Sequence, residues 1–333
     1  MEPESTPTTA TVPPFPPRRG PRLRQPIGLP AVIGCASLAV ALFFLLWWFL
    51  TAGEAEARIM SPTLLPSPGQ TFTEFHSLWF DSALTRNLLV TLRRVTSGFA
   101  LALAVGVPLG ILAGCFSWAR AFLMPVVIFG RNIPLAALIP LTFFFFGIGE
   151  WQKVMFIFIA CVAFVIADVT VAISNISSRY LDTAYTLGAN TWQAILKVLV
   201  PLAMPAVFDS ARLLFGLAFG YIMLAELIRF GSEAGGLGNL ILVAQRRGPR
   251  EHIYLIVLII PLVALVIDRI LYFVQVQLFP YRYGGWGFLN RGLRAVLGGW
   301  DDLKSLLRKP KPPFDQLVPV ATKAEVAPQE PSS

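Results

Sequence analysis

Six stretches of this chain are long and nearly free of charge, which restricts its solvent before any motif is read. Ala31 to Ala52 runs for 22 residues without a charged side chain. At about 1.5 Å of rise per helical residue, such a run crosses a hydrocarbon layer of about 30 Å. Val95 to Ala119 is a second uncharged stretch, and Ala121–Gly149, Val154–Ser178, Pro201–Ile228 and Ile253–Leu278 follow. Lipid offers no hydrogen bonds to a bare backbone, so each run is expected to be helical. Composition agrees, since only 14% of residues are charged, against about 25% in soluble domains. The expected fold is an all-α polytopic membrane protein with six transmembrane helices.

The rest of the chain divides around these runs. Residues 1–30 hold nine prolines with Arg18, Arg19, Arg22 and Arg24, too little apolar surface to repay ordering, and are expected to be a disordered basic cytoplasmic tail. The span over 31–52 exceeds the usual signal-peptide core of about 7–15 residues, so retention is expected rather than cleavage after Ala55-Glu56-Ala57. Residues 53–86, with Pro62, Pro66 and Pro68, read as an external loop with little regular structure. A core over 87–283 follows. Phe288, Leu289, Leu293, Val296, Leu297 and Trp300 recur at helical spacing, which predicts an interfacial amphipathic helix over 284–308. Residues 309–333 are a second Pro-rich, disordered tail.

Six spans place both termini on one side of the membrane. Lys and Arg near the span ends, ten against seven, put that side in the cytoplasm. The net charge of +8 fits anionic headgroups, since the arginines gather beside apolar runs and in the tails, and no nucleic-acid partner is expected. Cys35, Cys115 and Cys161 lie inside apolar runs at no metal spacing and read as packing residues. His76 and His252 are the only histidines, and no H-E-x-x-H occurs, so neither metal nor cofactor is expected. No nucleophile with a base is visible, which weakens an intramembrane enzyme.

Ionisable groups inside spans cost about 2.5–3.5 kcal/mol each on insertion scales, so they pair or line water. Asp209 and Arg212 stand three residues apart and predict an intrahelical ion pair. Arg131, Pro134 and Pro140 interrupt the third run and predict a bent or broken helix. Two readings of Arg131 stand level: a cation facing the route, with Asn132 as a donor, or a guanidinium bonded to carbonyls freed by Pro134. Arg131, Asn132, Pro134, Asp168 and Glu226 are the candidates for a translocation path. Glu226 fits either an interhelical pair with an arginine or a gate. The glycines from Gly231 to Gly238 read as a turn near the outer face.

Between spans four and five lies Asp182-Thr183-Ala184-Tyr185-Thr186-Leu187-Gly188, then nine residues, then Val198-Leu199-Val200-Pro201. Small and polar residues there predict a short exposed helix, ended by Gly188 in a left-handed turn, with Pro201 in the first turn of the next span. This pattern resembles the cytoplasmic EAA signature of permease subunits in binding-protein-dependent ABC importers. Ala184, Gly188, Pro201 and the spacing match it, while Asp182 stands for its Glu and Thr183 for its first Ala. Leu65-Pro66-Ser67-Pro68, Arg131-Asn132-Ile133-Pro134, Leu138-Ile139-Pro140, Phe146-Gly147-Ile148-Gly149-Glu150, Ala225-Glu226 and Gly235-Gly236-Leu237-Gly238 narrow the likeness to the nitrate/sulfonate/taurine/bicarbonate branch. It runs from about Leu65 to Tyr283. Asp168 departs from it, because relatives more often carry an uncharged polar residue there.

The resemblance implies a type I importer permease core of five spans plus an N-terminal span, in the inner membrane. Two such chains, as a homodimer, line one route for a small solute such as nitrate, a sulfonate, taurine or a related anion. A cytoplasmic ATPase subunit docks on segment 179–200, with Asp182, Thr183, Ala184, Gly188, Ala189 and Pro201 as the coupling residues, and an external solute-binding protein delivers the solute. The sequence holds no G-x-x-x-x-G-K-[ST] and no Gly-Lys pair, so ATP hydrolysis is expected on another subunit and no catalysis on this one. The alternative is an ion-gradient-driven secondary transporter in which Asp168, Asp209 or Glu226 carries protons.

Overall fold

The structure, a computed structural model, describes residues 28–54, 58–62, 64–228, 235–247 and 249–283. Residues 1–27 of the tail expected over 1–30, the tail expected over 309–333, the Ala55–Ala57 triplet, the helix expected over 284–308 and part of the Gly231–Gly238 stretch lie outside the described residues, while Leu29 and Pro30 of the expected tail are helical. Two units are divided after Gln70.

In the first unit, α1 (Leu29–Thr51) begins two residues before the expected span, with Pro30 in its first turn, where no N–H is needed. Val32, Ile33, Leu38, Leu42, Phe43 and Leu46 are all exposed. A helix with no polar face belongs in lipid. Trp47 Nε1 donates to the Pro66 carbonyl at 2.9 Å, so the chain folds back on the end of α1.

Residues 53–86 are more regular than expected, holding α2 (Pro68–Thr73) and α3 (Phe75–Phe80). Ser67 and Gln70 start α2 with a reciprocal capping pair: the Gln70 N–H donates to Ser67 Oγ at 3.3 Å and the Ser67 N–H to Gln70 Oε1 at 3.0 Å.

The second unit continues through α4 (Leu84–Cys115), α5 (Ser117–Arg131), α6 (Leu135–Phe146), α7 (Glu150–Ser174), α8 (Ser178–Thr186), α9 (Thr191–Leu227), α10 (Leu237–Arg247), α11 (Glu251–Leu278) and α12 (Pro280–Tyr283). Among the described residues, α1, α4, α7, α9 and α11 are long and apolar enough to cross a membrane, and α5 with α6 makes a sixth span if the bent pair counts as one. Span two was expected over Val95–Ala119, but α4 starts eleven residues earlier and carries Arg86, Arg93 and Arg94 within it. The apolar pattern misplaces the start because Arg94 is neutralised by residues far away in sequence. The turn comes at Phe116, in extended conformation, and Trp118 to Arg120 already belong to α5.

Helix α7 is the axis of the bundle, burying Phe156, Ile157, Cys161, Val165, Val169 and Ile173. It packs parallel to α4 along Gly98, Ala102, Gly106, Gly110 and Gly114, which recur every fourth residue and so share one helical face. A Cβ on Gly98 would lie 2.7 Å from Ile157 Cβ, and one on Gly114 would lie 2.6 Å from Ile173 Cβ. Both partners advance by 16 residues, so the two helices run in the same direction and nearly touch backbone to backbone. Helices α5 and α6 make the return crossing. They meet at 104°, where Pro134 caps α6 in extended conformation and the Asn132 N–H turns back to the Phe129 carbonyl at 3.1 Å. Pro140, expected to share in the break, sits inside α6.

Candidate functional site

The segment after α7 is built around a rigid corner. Helix α8 ends with Gly188 at φ +79°. The Gly188 N–H donates to the Tyr185 carbonyl at 2.9 Å and the Ala189 N–H to the Ala184 carbonyl at 3.0 Å, the two bonds of a Schellman stop. Two residues on, the next helix starts with a capping box: the Gln193 N–H donates to Asn190 Oδ1 at 2.8 Å and the Asn190 N–H to Gln193 Oε1 at 3.0 Å. A Cβ at residue 188 would meet nothing within 4 Å, so only the left-handed backbone demands glycine. Gly188→Ala is expected to cost about 1–2 kcal/mol locally, read as faster proteolysis at this turn with the rest of the fold intact.

Pro201 stands, as expected, in the first turn of the regular α-helical stretch Val200–Leu227, but the span as a whole begins ten residues earlier than Pro201, at Thr191. The helix passes the proline by widening. Residues Ile195–Leu199 form a π-helical turn in which the Val200 N–H reaches the Ile195 carbonyl. That wider turn comes just before a residue that cannot donate and whose ring crowds the carbonyl four residues back. Of the coupling candidates, Asp182, Thr183, Gly188 and Pro201 are exposed, Ala189 is half-buried and Ala184 is buried. Thr183 Oγ1 donates to the Arg179 carbonyl at 2.8 Å, so its hydroxyl is already engaged. Tyr185, Leu187 and Trp192, absent from the candidate set, present apolar surface at the corner, Leu187 being 82% exposed.

The helix break places a second group of candidates. Arg131 ends α5 and stacks 4.9 Å over the Phe164 ring of α7. Asp168, one turn further along α7, hydrogen-bonds Ser210 of α9 and lies within the field of Arg131. Asn132 Nδ2 donates to the Ile128 carbonyl at 2.7 Å, closing the end of α5. Arg131, Asn132 and Pro134 are all exposed. Phe164 stands about 21 Å from the start of α7 and about 15 Å from its end, so this group lies at mid-depth.

Glu226 is elsewhere, at the Glu150 end of the bundle, and its partner is Arg94. Arg94 Nη1 donates to Glu226 Oε1 at 2.7 Å and Arg94 Nε to Glu150 Oε2 at 2.8 Å, with a second bond from Nη2 to Glu150. Thr91 Oγ1 donates to the same Glu226 carboxylate at 2.9 Å. An interhelical arginine was one of the two readings of Glu226, but nothing local in the sequence singles out Arg94, 132 residues away. The available signal was the spacing of Asn87, Thr91 and Arg94, which puts three polar side chains on one face of the helix.

The expected Asp209–Arg212 pair forms, but it is the weaker part of a larger group. Arg212 stands 3.7 Å from Asp209 but 2.8 Å from Asp268 of α11. It further donates to Gln275 Oε1 at 2.8 Å and lies over the Tyr272 ring. A guanidinium offers five donors in a plane, more than one carboxylate on its own helix can satisfy.

Residues 106–280, more than half of the chain, match the family described as the inner membrane component of binding-protein-dependent transport systems. A putative ABC transporter permease of Methanocaldococcus jannaschii is 30% identical over 208 residues, covering 62% of this chain and 77% of that protein. The taurine transport system permease TauC of Escherichia coli K12 is 26% identical over 263 residues, or 78% of this chain and 92% of that one. Further relatives are named as sulfonate, nitrate and bicarbonate permeases. The fold is similar to that of the inward-facing MetNI methionine ABC transporter, with a TM-score of 0.52 at 21% identity over 60% of this chain and 97% of that chain. The match spans the break, the corner after α8 and both long helices that flank it, and so the chain belongs to this family of multi-pass membrane permeases of ABC importers, in its nitrate/sulfonate/taurine branch.

Proposed function

We propose that two copies of this chain line one route for a small anion, an oxyanion or a sulfonate, and that a separate ATPase drives it. The observation that carries this reading is Arg131, exposed on the protomer at mid-depth. A guanidinium facing hydrocarbon there is costly, and one facing a second copy across a wet route is not. Broken helices with free carbonyls are tolerated at such depth only beside protein or water. Arg131 supplies the charge that favours an anion, and Asp168, bonded to Ser210, lies within its field. Names of relatives, taurine, sulfonate and nitrate permeases among them, support that solute class.

In this reading residues 87–283 are the permease core, extended by the first turn of α4, and both termini lie in the cytoplasm of an inner membrane. Segment 179–200 meets the ATPase, which performs all the hydrolysis, and an external binding protein delivers the solute on the opposite side. Kinship with ABC permeases favours this over a proton-driven carrier.

Arg131→Gln tests the central claim. Uptake of labelled nitrate, taurine and a short alkanesulfonate into vesicles is expected to fall at least about tenfold, about 1.4 kcal/mol of lost stabilisation, while the complex still co-purifies with its ATPase. Normal uptake by an assembled variant removes Arg131 from the route. Uptake that follows a proton gradient and needs no ATP overturns the importer reading as a whole.

A further inference from the structure

Arg94 and Glu226 lie apart from Arg131 and from the corner after α8, and they are the most completely buried ion pair among the described residues. The Glu226 side chain is 0% exposed and that of Arg94 2%. The cluster grips a strap, the four residues Gly235 to Gly238, of which the first two lead into α10 and the last two open it. Arg94 Nη1 donates to the Gly235 carbonyl at 2.8 Å. The Gly236 N–H donates to Asn87 Oδ1 at 2.8 Å, the Leu237 N–H to Thr91 Oγ1 at 2.9 Å, and the Gly238 N–H to Glu226 Oε2 at 3.0 Å. Three of the bonds end on α4 and the fourth on α9.

The glycines make this grip possible. Gly236 has φ +105° and a Cβ there would overlap the Glu226 carboxyl group, while one on Gly238 would lie 2.7 Å from Glu226 Cβ. The strap therefore lies with its backbone directly on a carboxylate that accepts the Gly238 N–H and pairs with Arg94. What charge adds is a bond that a small displacement breaks and water can then solvate. Water is at hand, because a cleft of about 400 Å³ lined by Arg86, Asn87, Arg93, Arg94, Glu150 and Asn239 borders the strap.

The geometry of α9 connects this cluster to the corner at the other end. Thr191 to Glu226 is one continuous helix about 53 Å long. Its first turns hold the capping box, and its last turn holds Glu226. The π turn at Ile195–Leu199, with Pro201 and Pro205, interrupts the regular ladder at the corner end, and the stretch beyond Pro205 is unbroken α-helix to Leu227.

We propose that Arg94 and Glu226 form a latch that holds the Gly235–Gly238 strap against α4 and keeps the Glu150 end of the route shut. A tilt of α9, driven from the ATPase corner, withdraws Glu226 from Arg94 and from the Gly238 N–H, releasing the strap. Arg94 and Glu226 are positioning residues and make no contact with the solute. The latch rests on the coupling role proposed for segment 179–200.

Glu226→Gln, in the whole complex with its ATPase in lipid discs, is the first test. The variant is expected to raise ATP hydrolysis without binding protein at least about tenfold. It should also let a membrane-impermeant maleimide label Val90→Cys, on the cleft wall, without nucleotide, whereas the unaltered latch requires nucleotide for labelling. A purely structural clamp lowers the yield but moves neither readout. An assembled Glu226→Gln complex with ordinary basal hydrolysis and nucleotide-dependent labelling overturns the latch.

A second variant does not disturb the charges. In Asn87→Cys with Gly235→Cys, the new Cβ at 235 lies 3.8 Å from the former Asn87 Oδ1 position, and oxidation ties the strap to α4. Uptake should stop on oxidation and return with reductant. ATP-driven uptake that continues through the bridge sinks the latch alone, whereas uptake by the unaltered complex that ignores ATP sinks the importer reading beneath it.

Discussion

Gly110→Leu is expected to leave almost no folded permease in the membrane. Even a methyl group at this position would lie 2.6 Å from Val169 Cβ and 3.0 Å from the Ile166 carbonyl. Neither neighbour can give way: valine is stiff at χ1 on a helix, and the carbonyl belongs to the α7 backbone. The two helices must therefore separate, and the shift extends along Gly98, Ala102, Gly106 and Gly114 because all five positions share one seam. Overpacking usually costs about 1–3 kcal/mol, and this site belongs at or above the top of that range. At about 3 kcal/mol the folded fraction falls about 150-fold relative to the unfolded. Size-exclusion of detergent extracts measures it, with Gly216→Leu and Gly220→Leu as controls, since a Cβ at either meets nothing within 4 Å. Accumulation of Gly110→Leu at the level of those controls would contradict the seam.

Leu187→Glu is expected to release the ATPase while the permease stays folded. Leu187 is 82% exposed at a corner fixed on one side by the Gly188 stop and on the other by the Asn190 capping box. A leucine held rigidly in water loses little further entropy on docking, which makes it a strong anchor for a partner pocket. Tyr185 at 49% and Trp192 at 61% exposed extend the same apolar surface. Removing a central anchor typically costs about 2 kcal/mol or more, and a buried, unpaired carboxylate adds to that. Co-purification of the ATPase should fall at least about thirtyfold, with the thermal midpoint of the permease unchanged. Thr183→Ala should have little effect, because its hydroxyl already bonds the Arg179 carbonyl. An ATPase that stays bound to Leu187→Glu would move the docking surface elsewhere.

Much of this corner was legible before any fold was known. Gly188 announced its left-handed turn, and Asp182 with Gly188 and Pro201 announced the segment. The exposure of Leu187, Tyr185 and Trp192 was not legible, because the segment was read through its small and polar residues and nothing in the sequence says which apolar side chains of a short helix the fold leaves uncovered. Pro201 marked the first turn of the Val200–Leu227 stretch but not the start of the span. Proline most often opens a helix, and only the π turn in front of it lets the helix start ten residues sooner. At the break, Pro134 marked the place and the kind of bend, while the stacking of Arg131 on Phe164 depends on α7 passing beside it.

The amino-acid order alone determined how many stretches suit lipid, where one of them breaks and where the chain leaves the membrane to turn, because each depends on contiguous residues and their backbone preferences. Tertiary structure alone decided the partners of the buried charges. Arg94 meets Glu226 across 132 residues, and Arg212 meets Asp268 across 56. It also separated glycines that are otherwise alike, with Gly106 and Gly110 closing on α7 and Gly216 and Gly220 facing open space. The physical reason is that an ion pair or a close backbone approach depends on the relative position and rotation of two helices, and no local propensity carries that information.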